Sequence, residues 1–297
     1  MKLPFAPVLL SALCACSSGS APSTPALRAD ASITVENALA ASRAAVDATV
    51  DVVRVAQIGA RFLTEQPPEP PTGTAAAELS LTFDGPNGGQ AIHTWNDADG
   101  DGKPSTGDTF TETFIAWSDG YELSGTVLFD EVVVTGDPFD GITWRIEARL
   151  HFVNLVVTQN AVATTWNGSV LCTREQRLTA KLLALQFDSD FRLGALTLAA
   201  GARLERNEYP IDFTMGIFVQ GFVTVPELGG GLEVATVAPL SGLAALPNPW
   251  AGTLEVRGGD RGVLQVVPVD FFNVEIHVDA DGDGIEDALL PAEWAEL

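Results

Sequence analysis

Two aspartate-rich segments carry the residue types and the spacing best suited to holding a metal ion. In the first segment, Asp97, Asp99 and Asp101 stand at positions 1, 3 and 5, and Gly102 stands at position 6. Carboxylates spaced in this way can converge on a hard cation, and the glycine permits the sharp turn that such a loop requires. The spacing therefore predicts bound Ca²⁺.

The first segment offers a complete set of calcium ligands. Lys103 at position 7 would supply its backbone carbonyl, Ser105 stands at position 9, and Asp108 stands at position 12, where a closing carboxylate belongs. An aspartate at position 12 reaches less far than a glutamate would. We expect Ca²⁺ to be held by five residues: Asp97, Asp99, Asp101, Lys103 and Asp108.

The second segment repeats the pattern near residue 280. Its candidate ligands are four aspartates: Asp279, Asp281, Asp283 and Asp287. Leu290 stands at position 12, so the segment cannot close as an EF-hand loop does. It resembles instead the short aspartate-repeat loops of extracellular calcium modules. The alternative for both segments is an acidic hairpin turn, since Asp-Gly is a preferred turn dipeptide, although three carboxylates in one turn repel each other without a cation.

Both segments are expected to join β-strands rather than helices. Strand-like patterns flank them, among them Thr109–Phe114 after the first segment and Ile276–Val278 before the second. A metal ion would then hold a hairpin together instead of opening a helical sensor.

Most of the chain has the two-residue period of β-strands. In Ile142–Phe152, for example, apolar residues alternate with polar ones, and turn signals such as Asn167-Gly168 recur between similar runs. We expect a mostly β protein: a large curved antiparallel meander over residues 77–297, forming an open or half barrel. Phe191–Leu204 is predicted to be one of its strands.

A helix is predicted before the sheet. Between Ile33 and Leu63, apolar residues recur at helical spacing, and charged residues such as Arg43, Asp47 and Asp51 lie off that stripe. This pattern predicts one long N-terminal amphipathic helix packed on the sheet, with a helical lid or a partner-binding helix as the alternative. A stiff proline-rich linker completes this region, residues 32–76.

The N-terminus carries an export signal. A short apolar stretch ends in Leu13-Cys14-Ala15-Cys16, which resembles the lipobox of bacterial lipoproteins apart from Cys14. The resemblance implies a signal peptide at residues 1–15, lipidation of Cys16, and a flexible tether at residues 16–31. Ser17 after the cysteine suggests, by the same resemblance, the outer membrane of a Gram-negative bacterium, on its periplasmic or surface face.

Composition narrows the choice of partners. The chain of 297 residues has 39 acidic and 16 basic side chains, a net charge of −23, and 46% hydrophobic residues. The hydrophobic content excludes global disorder, and the negative charge argues against a nucleic-acid partner. The partners expected are the membrane, through the lipid on Cys16, and a hydrophobic ligand or protein whose identity stays open.

The sequence contains none of the common catalytic motifs, neither a Gly-x-Ser-x-Gly elbow nor a His-Glu-x-x-His pair. Cys172 is predicted to be a core thiol. His93, His151 and His277 are expected on half-exposed polar strand positions. These features favour a non-catalytic protein.

As a whole, the chain resembles uncharacterised bacterial lipoproteins with Asp-x-Asp-x-Asp-Gly loops and a long antiparallel β domain, a resemblance that implies architecture and no activity. The leading hypothesis is a membrane-anchored lipoprotein with a calcium-stapled β domain and a binding or structural role. The alternatives are a periplasmic carrier of a lipid or other hydrophobe in a half-barrel and a carbohydrate-active enzyme, which would need paired carboxylates in a cleft.

Overall fold

The computed structural model describes residues 29–61, 79–118, 121–139, 141–159, 161–246 and 248–297. Outside these residues lie Cys16, the predicted signal peptide at residues 1–15, most of the predicted tether and the predicted proline-rich linker. In the described part of the chain, no helix is both long enough and apolar enough to cross a bilayer.

Sixteen strands form one antiparallel sheet that curls into a partial ring. The prediction of a curved antiparallel meander preceded by one helix is therefore confirmed. The strands are β1 Leu79–Asp84, β2 Gln90–Asn96, β3 Thr109–Ser118, β4 Glu122–Gly136, β5 Trp144–Gln159, β6 Val162–Gln176, β7 Lys181–Gln186, β8 Phe191–Leu193, β9 Leu196–Leu198, β10 Arg203–Tyr209, β11 Thr214–Val225, β12 Gly230–Leu243, β13 Ala251–Arg257, β14 Val263–Pro268, β15 Asn273–Asp279 and β16 Ala288–Glu293. Nearly all sequence neighbours pair, except that β7 pairs with β10, and β8 and β9 branch off beside β6 and β11.

Bulges in the long strands give the sheet its curvature. Ala116, Glu131 and Asn154 have left-handed backbones, with φ of 48°, 51° and 49°, and each lies where the register shifts against a neighbouring strand. An extra residue in one strand bends it and increases its twist. The Asn154 N–H donates its hydrogen bond to the side chain of Asn167, at 2.9 Å, instead of to the backbone of a neighbouring strand.

The N-terminal helix consists of α1 (Ala38–Val46), a π-helical turn (Asp47–Asp51) and α2 (Val52–Arg61). It begins at Ala38 rather than at Ile33, because the chain before it pairs with the sheet: the N–H groups of Asp30 and Ala31 donate to the Gly231 carbonyl at 3.1 and 3.2 Å. The helix lies within the curve of the sheet and contacts strands β9 to β15.

Most faces of this helix are buried. Sixteen described residues between Ala38 and Ala60 are buried, so the apolar stripe is much wider than an amphipathic pattern predicts. Its exposed positions are Leu39, Ala40 and Arg43. The concave side of the sheet is thus filled largely by the protein's own helix.

Two local predictions are wrong. Asn167-Gly168 is not a turn but lies inside β6, where Gly168 has φ of 143° and a Cβ there would lie 2.7 Å from the ring of Phe191. The predicted strand Phe191–Leu204 is divided into β8, β9 and the start of β10, because the chain turns at Gly194 and Gly201, both with positive φ.

Candidate functional site

The first aspartate-rich loop, residues 97–108, connects β2 to β3. Its carboxylates order the loop by accepting backbone N–H groups. Asp97 accepts those of Gly100 and Gly102 at 2.7 and 2.8 Å, and Asp101 accepts that of Lys103 at 2.7 Å. Gly100 and Gly102 both have φ of 74°, a conformation that glycine adopts without strain.

Asp108 closes the first loop from within the protein. Its side chain is fully buried and accepts four hydrogen bonds, from the N–H of Ala98 (2.9 Å), the N–H and hydroxyl of Ser105 (2.8 and 3.2 Å), and the indole N–H of Trp95 (3.1 Å). The Asp108 carboxylate therefore joins both ends of the loop to the C-terminal end of β2.

The second loop, residues 279–287, connects β15 to β16 and repeats these hydrogen bonds. Asp279 accepts the N–H groups of Gly282 and Gly284 at 2.8 and 2.9 Å, just as Asp97 does at positions 4 and 6 of the first loop. Asp287 accepts the Ala280 N–H at 2.8 Å, which is the bond that Asp108 makes to Ala98. Asp287 thus takes the place of Asp108 although it comes three positions earlier.

In each loop three carboxylates come close enough together to hold a metal ion. One oxygen from each of Asp97, Asp99 and Asp108 lies within 4.8 Å of the others, and the second group is Asp279, Asp281 and Asp283. The predicted ligands Asp101 and Asp287 stand outside these two groups, and the Lys103 ammonium pairs with Asp137. The donors that converge are all carboxylate oxygens, which suit hard cations.

The first loop concentrates negative charge. The pKa of Asp101 is raised, because partial burial and the charges of Asp99, Asp97 and Asp108 oppose its ionisation while the Lys103 N–H favours it. For Asp99, burial also opposes ionisation, but hydrogen bonds, first among them that of the Ser105 hydroxyl, outweigh it and lower the pKa. A bound cation would relieve the repulsion between these groups.

The two loops lie near the two ends of the strand order: β2 and β3 are next to the edge strand β1, and β16 is the other edge strand. An odd number of antiparallel pairings separates β2 from β15, so these strands run in opposite directions and their following loops emerge at opposite ends. No helix flanks either loop in the described part of the chain. A cation in each loop would therefore hold one hairpin at each edge.

Below the first loop lies a buried pair that the sequence did not predict. His93 is 3% exposed, not half-exposed, and its ring contacts the fully buried Glu112 on β3. Phe110 stacks between His93 and Trp95, with ring centroids 5.5 and 5.7 Å away. This column of side chains supports the loop through the Trp95–Asp108 hydrogen bond.

A second polar cluster, inside the partial ring of the sheet, was also not predicted from the sequence. The buried Asp51 accepts hydrogen bonds from Arg54 (2.9 Å) and from the Tyr121 hydroxyl (2.8 Å), and Arg54 also donates to Asn248 at 3.0 Å. Burial raises the pKa of Asp51, and Arg54 and Tyr121 oppose that shift by stabilising the carboxylate. The cluster joins the helix to two distant parts of the sheet.

His151 lies between two polar residues of neighbouring strands. Its Nδ1 is 2.7 Å from the Ser169 hydroxyl and its Nε2 is 2.9 Å from Asp130. Serine, histidine and an acid in a row resemble a nucleophilic triad, but that chemistry also needs oxyanion donors. The strand N–H groups around Ser169 and His151 are within a paired region of the β5–β6 ladder.

Cys172 is a buried core thiol, as predicted, and burial raises its pKa to about 12. It therefore lacks the thiolate character of a nucleophile.

Comparison of the chain with protein-family models, with curated proteins and with solved structures finds no match.

Proposed function

We propose that the protein binds one Ca²⁺ in each aspartate-rich loop and that the two ions stabilise the edges of its β-sheet. The observation that carries this proposal is the repeated loop geometry. In both loops the position-1 aspartate accepts the N–H groups of the glycines at positions 4 and 6, these glycines have positive φ, and three carboxylates converge within 4.8 Å.

Calcium fits these loops better than other common biological cations. Zn²⁺ and Cu²⁺ favour nitrogen and sulfur donors, whereas the converging groups are carboxylates. Mg²⁺ demands strict octahedral geometry and holds its waters, while Ca²⁺ accepts variable numbers of oxygen ligands. Exposed loops with three carboxylates are typical of weak sites, with dissociation constants of about 10⁻⁴ to 10⁻³ M in extracellular modules.

A structural role follows from where the loops lie. Each loop connects two paired strands at one edge of the sheet, so a bound ion would resist fraying of β2–β3 or of β15–β16. We propose no catalytic step at these sites. The role is that of a stable β scaffold whose folding is coupled to ambient calcium.

We further propose that this scaffold is exported and anchored by lipid on Cys16 in the outer membrane of a Gram-negative bacterium. The support is the Leu13-Cys14-Ala15-Cys16 sequence. Expression of the full chain in such a bacterium should place the protein in the membrane fraction, with an intact mass that includes acyl chains and starts at Cys16. Cys16→Ser should leave an unprocessed chain without lipid. The proposed lipid anchor is contradicted if the wild type carries no lipid and, apart from the substitution, has the same mass as Cys16→Ser.

The two alternatives stay predictions. The helix fills much of the concave side, so among the described residues a carried hydrophobe would occupy the cavity beside α1. A carbohydrate-active enzyme would need two carboxylates about 5 to 10 Å apart on either side of a sugar. Asp47 and Asp51 line that cavity, but Asp51 is engaged by Arg54 and Tyr121.

Calcium should raise the melting temperature through both loops. Free Ca²⁺ at about 10 to 50 times the dissociation constant of a site adds about 1.4 to 2.3 kcal/mol, so melting in about 10 mM Ca²⁺ should occur several degrees above melting in EGTA. Asp99→Asn and Asp281→Asn each change an exposed position-3 carboxylate that accepts one loop N–H. Each variant should lose part of the shift, and the double variant should lose nearly all of it.

The matched control is Asp212→Asn, which changes an exposed aspartate in the β10–β11 turn away from both loops. It should retain the full calcium shift. The calcium proposal fails if the wild type melts at the same temperature in Ca²⁺ and EGTA, or if the double variant keeps the wild-type shift.

A further inference from the structure

A cavity of about 740 Å³ lies between the exposed side of α1 and the sheet. Its far wall is formed by the β5–β6 hairpin and by β8 and β9, and the segment around Pro226 borders it. This volume is within the range of about 300 to 1,000 Å³ that is typical of small-molecule sites.

Asp47 is the half-buried acid of this cavity. It lines the cavity at the start of the π-helical turn, and no other described residue donates a hydrogen bond to its carboxylate. Burial raises its pKa to about 7, the neighbouring Asp51 adds to the shift, and Arg43 opposes it. π-Helical turns inside α-helices occur frequently at functional sites.

The other charged groups at the cavity do not neutralise this carboxylate by direct contact. The Arg43 guanidinium donates to the Glu296 carbonyl, with Nε at 2.8 Å. Asp51 is held by Arg54 and Tyr121, and Glu227 adds an exposed carboxylate at the border. Among the described residues, the charged side chains that line the cavity are thus three acids and one arginine.

The wall that the strands form is mixed: the polar side chains of Gln159, Thr164 and Thr165 lie beside apolar and aromatic ones. Val157, Trp166 and Leu193 line it as buried residues, and Tyr121 adds a second ring. Aromatic faces attract organic cations, and an unpaired carboxylate adds charge and hydrogen bonding to that attraction. An anion would meet the acids, and a purely apolar ligand would leave Asp47 desolvated without a partner.

We propose that this cavity binds a small organic cation, an ammonium group carried on an apolar body, with the ammonium at Asp47 and the apolar body against the Trp166 wall. This is independent of the calcium loops, because none of the residues at positions 97–108 or 279–287 lines the cavity.

Three probes of similar size and different charge test the proposal on the full chain: 2-phenylethylamine, 2-phenylethanol and 3-phenylpropionate, titrated at pH 8 with ligand-observed NMR. We expect the amine to bind at least about tenfold more tightly than the neutral alcohol. Asp47→Asn should abolish that preference, while Asp212→Asn should leave it unchanged. Ala163→Trp, which places a ring at the exposed rim of the cavity, should weaken the amine and the alcohol alike.

Several results would overturn the proposal. They are absence of amine binding up to about 20 mM, equal binding of amine and alcohol or tighter binding of 3-phenylpropionate, and an amine preference that survives Asp47→Asn. An equal loss in Asp47→Asn and Asp212→Asn would assign the attraction to the general negative charge of the protein and would also contradict the site. Since Asp47→Asn removes a half-buried charge, we expect that variant to fold.

Discussion

Replacing Asp51 with asparagine is expected to destabilise the protein by about 3 to 5 kcal/mol, because it removes one member of a buried ion pair. Asp51 is 4% exposed and the Arg54 side chain 12% exposed, with 2.9 Å between the paired atoms. The Tyr121 hydroxyl would also lose its charged acceptor. Urea unfolding at pH 7.5 measures the change in the free energy of unfolding.

A matched control separates burial from ion pairing itself. Asp188 pairs with Arg149 at 3.0 Å, but its side chain is 46% exposed. Asp188→Asn is therefore expected to cost less than about 1 kcal/mol. Adding Arg54→Met to Asp51→Asn should recover much of the loss, since the buried charge that Asp51 offsets is then removed as well. If Asp51→Asn costs no more than Asp188→Asn, the buried cluster does not stabilise the helix in the ring.

Asparagine at position 47 should have the opposite effect and stabilise the protein at alkaline pH. Burial and the nearby Asp51 raise the pKa of Asp47 from 3.8 to about 7, although Arg43 opposes the shift. Above pH 7 the folded protein holds a carboxylate that is more easily ionised in the unfolded chain. A shift of this size corresponds to at most about 4 kcal/mol.

The dependence on pH follows from that shift. Between about pH 4 and pH 7 the folded state binds a proton at Asp47 that the unfolded state releases, so this group makes stability fall as pH rises through that range and stay constant above it. The advantage of Asp47→Asn over wild type should therefore grow from pH 5 to pH 7 and then level off. Unfolding at several pH values measures it, with Asp212→Asn expected to change stability by less than about 0.5 kcal/mol throughout. An advantage that shrinks as pH rises would contradict the raised pKa.

Local sequence patterns were enough to predict the class of the fold. The two-residue period of β5 arises because one face of the sheet is buried, and the helical run before the sheet has no comparable second copy. The place of the helix could not be predicted in the same way. Its burial on most sides depends on the curvature of the sheet around it. Bulges at residues such as Glu131 and Asn154 produce that curvature.

The Asn167-Gly168 error has a related cause. The dipeptide is a strong hairpin signal, but Gly168 instead permits Phe191 of the adjacent β8 to pack closely against β6. Whether a glycine forms a hairpin turn or makes room for a neighbouring side chain depends on residues that are distant in sequence.

The convergence of three carboxylates in each aspartate-rich loop was predictable because these side chains lie within about a dozen residues of each other. By contrast, the Asp51–Tyr121 and His151–Ser169 contacts join residues 70 and 18 positions apart, and His93 meets Glu112 only through the β2–β3 register. The register of β2 against β3 cannot be read from a single sequence. It therefore could not indicate that Asp47 and Asp51 face a cavity bordered by Trp166.

Calorimetric titration of the chelator-treated full chain with CaCl₂ tests the central claim most directly. We predict two bound ions, with dissociation constants of about 10⁻⁴ to 10⁻³ M. Asp99→Asn should lose the ion at Asp97, Asp99 and Asp108, and Asp281→Asn should lose the ion at Asp279, Asp281 and Asp283. Absence of saturable heat at millimolar calcium, or an unchanged stoichiometry in the double variant, would contradict it.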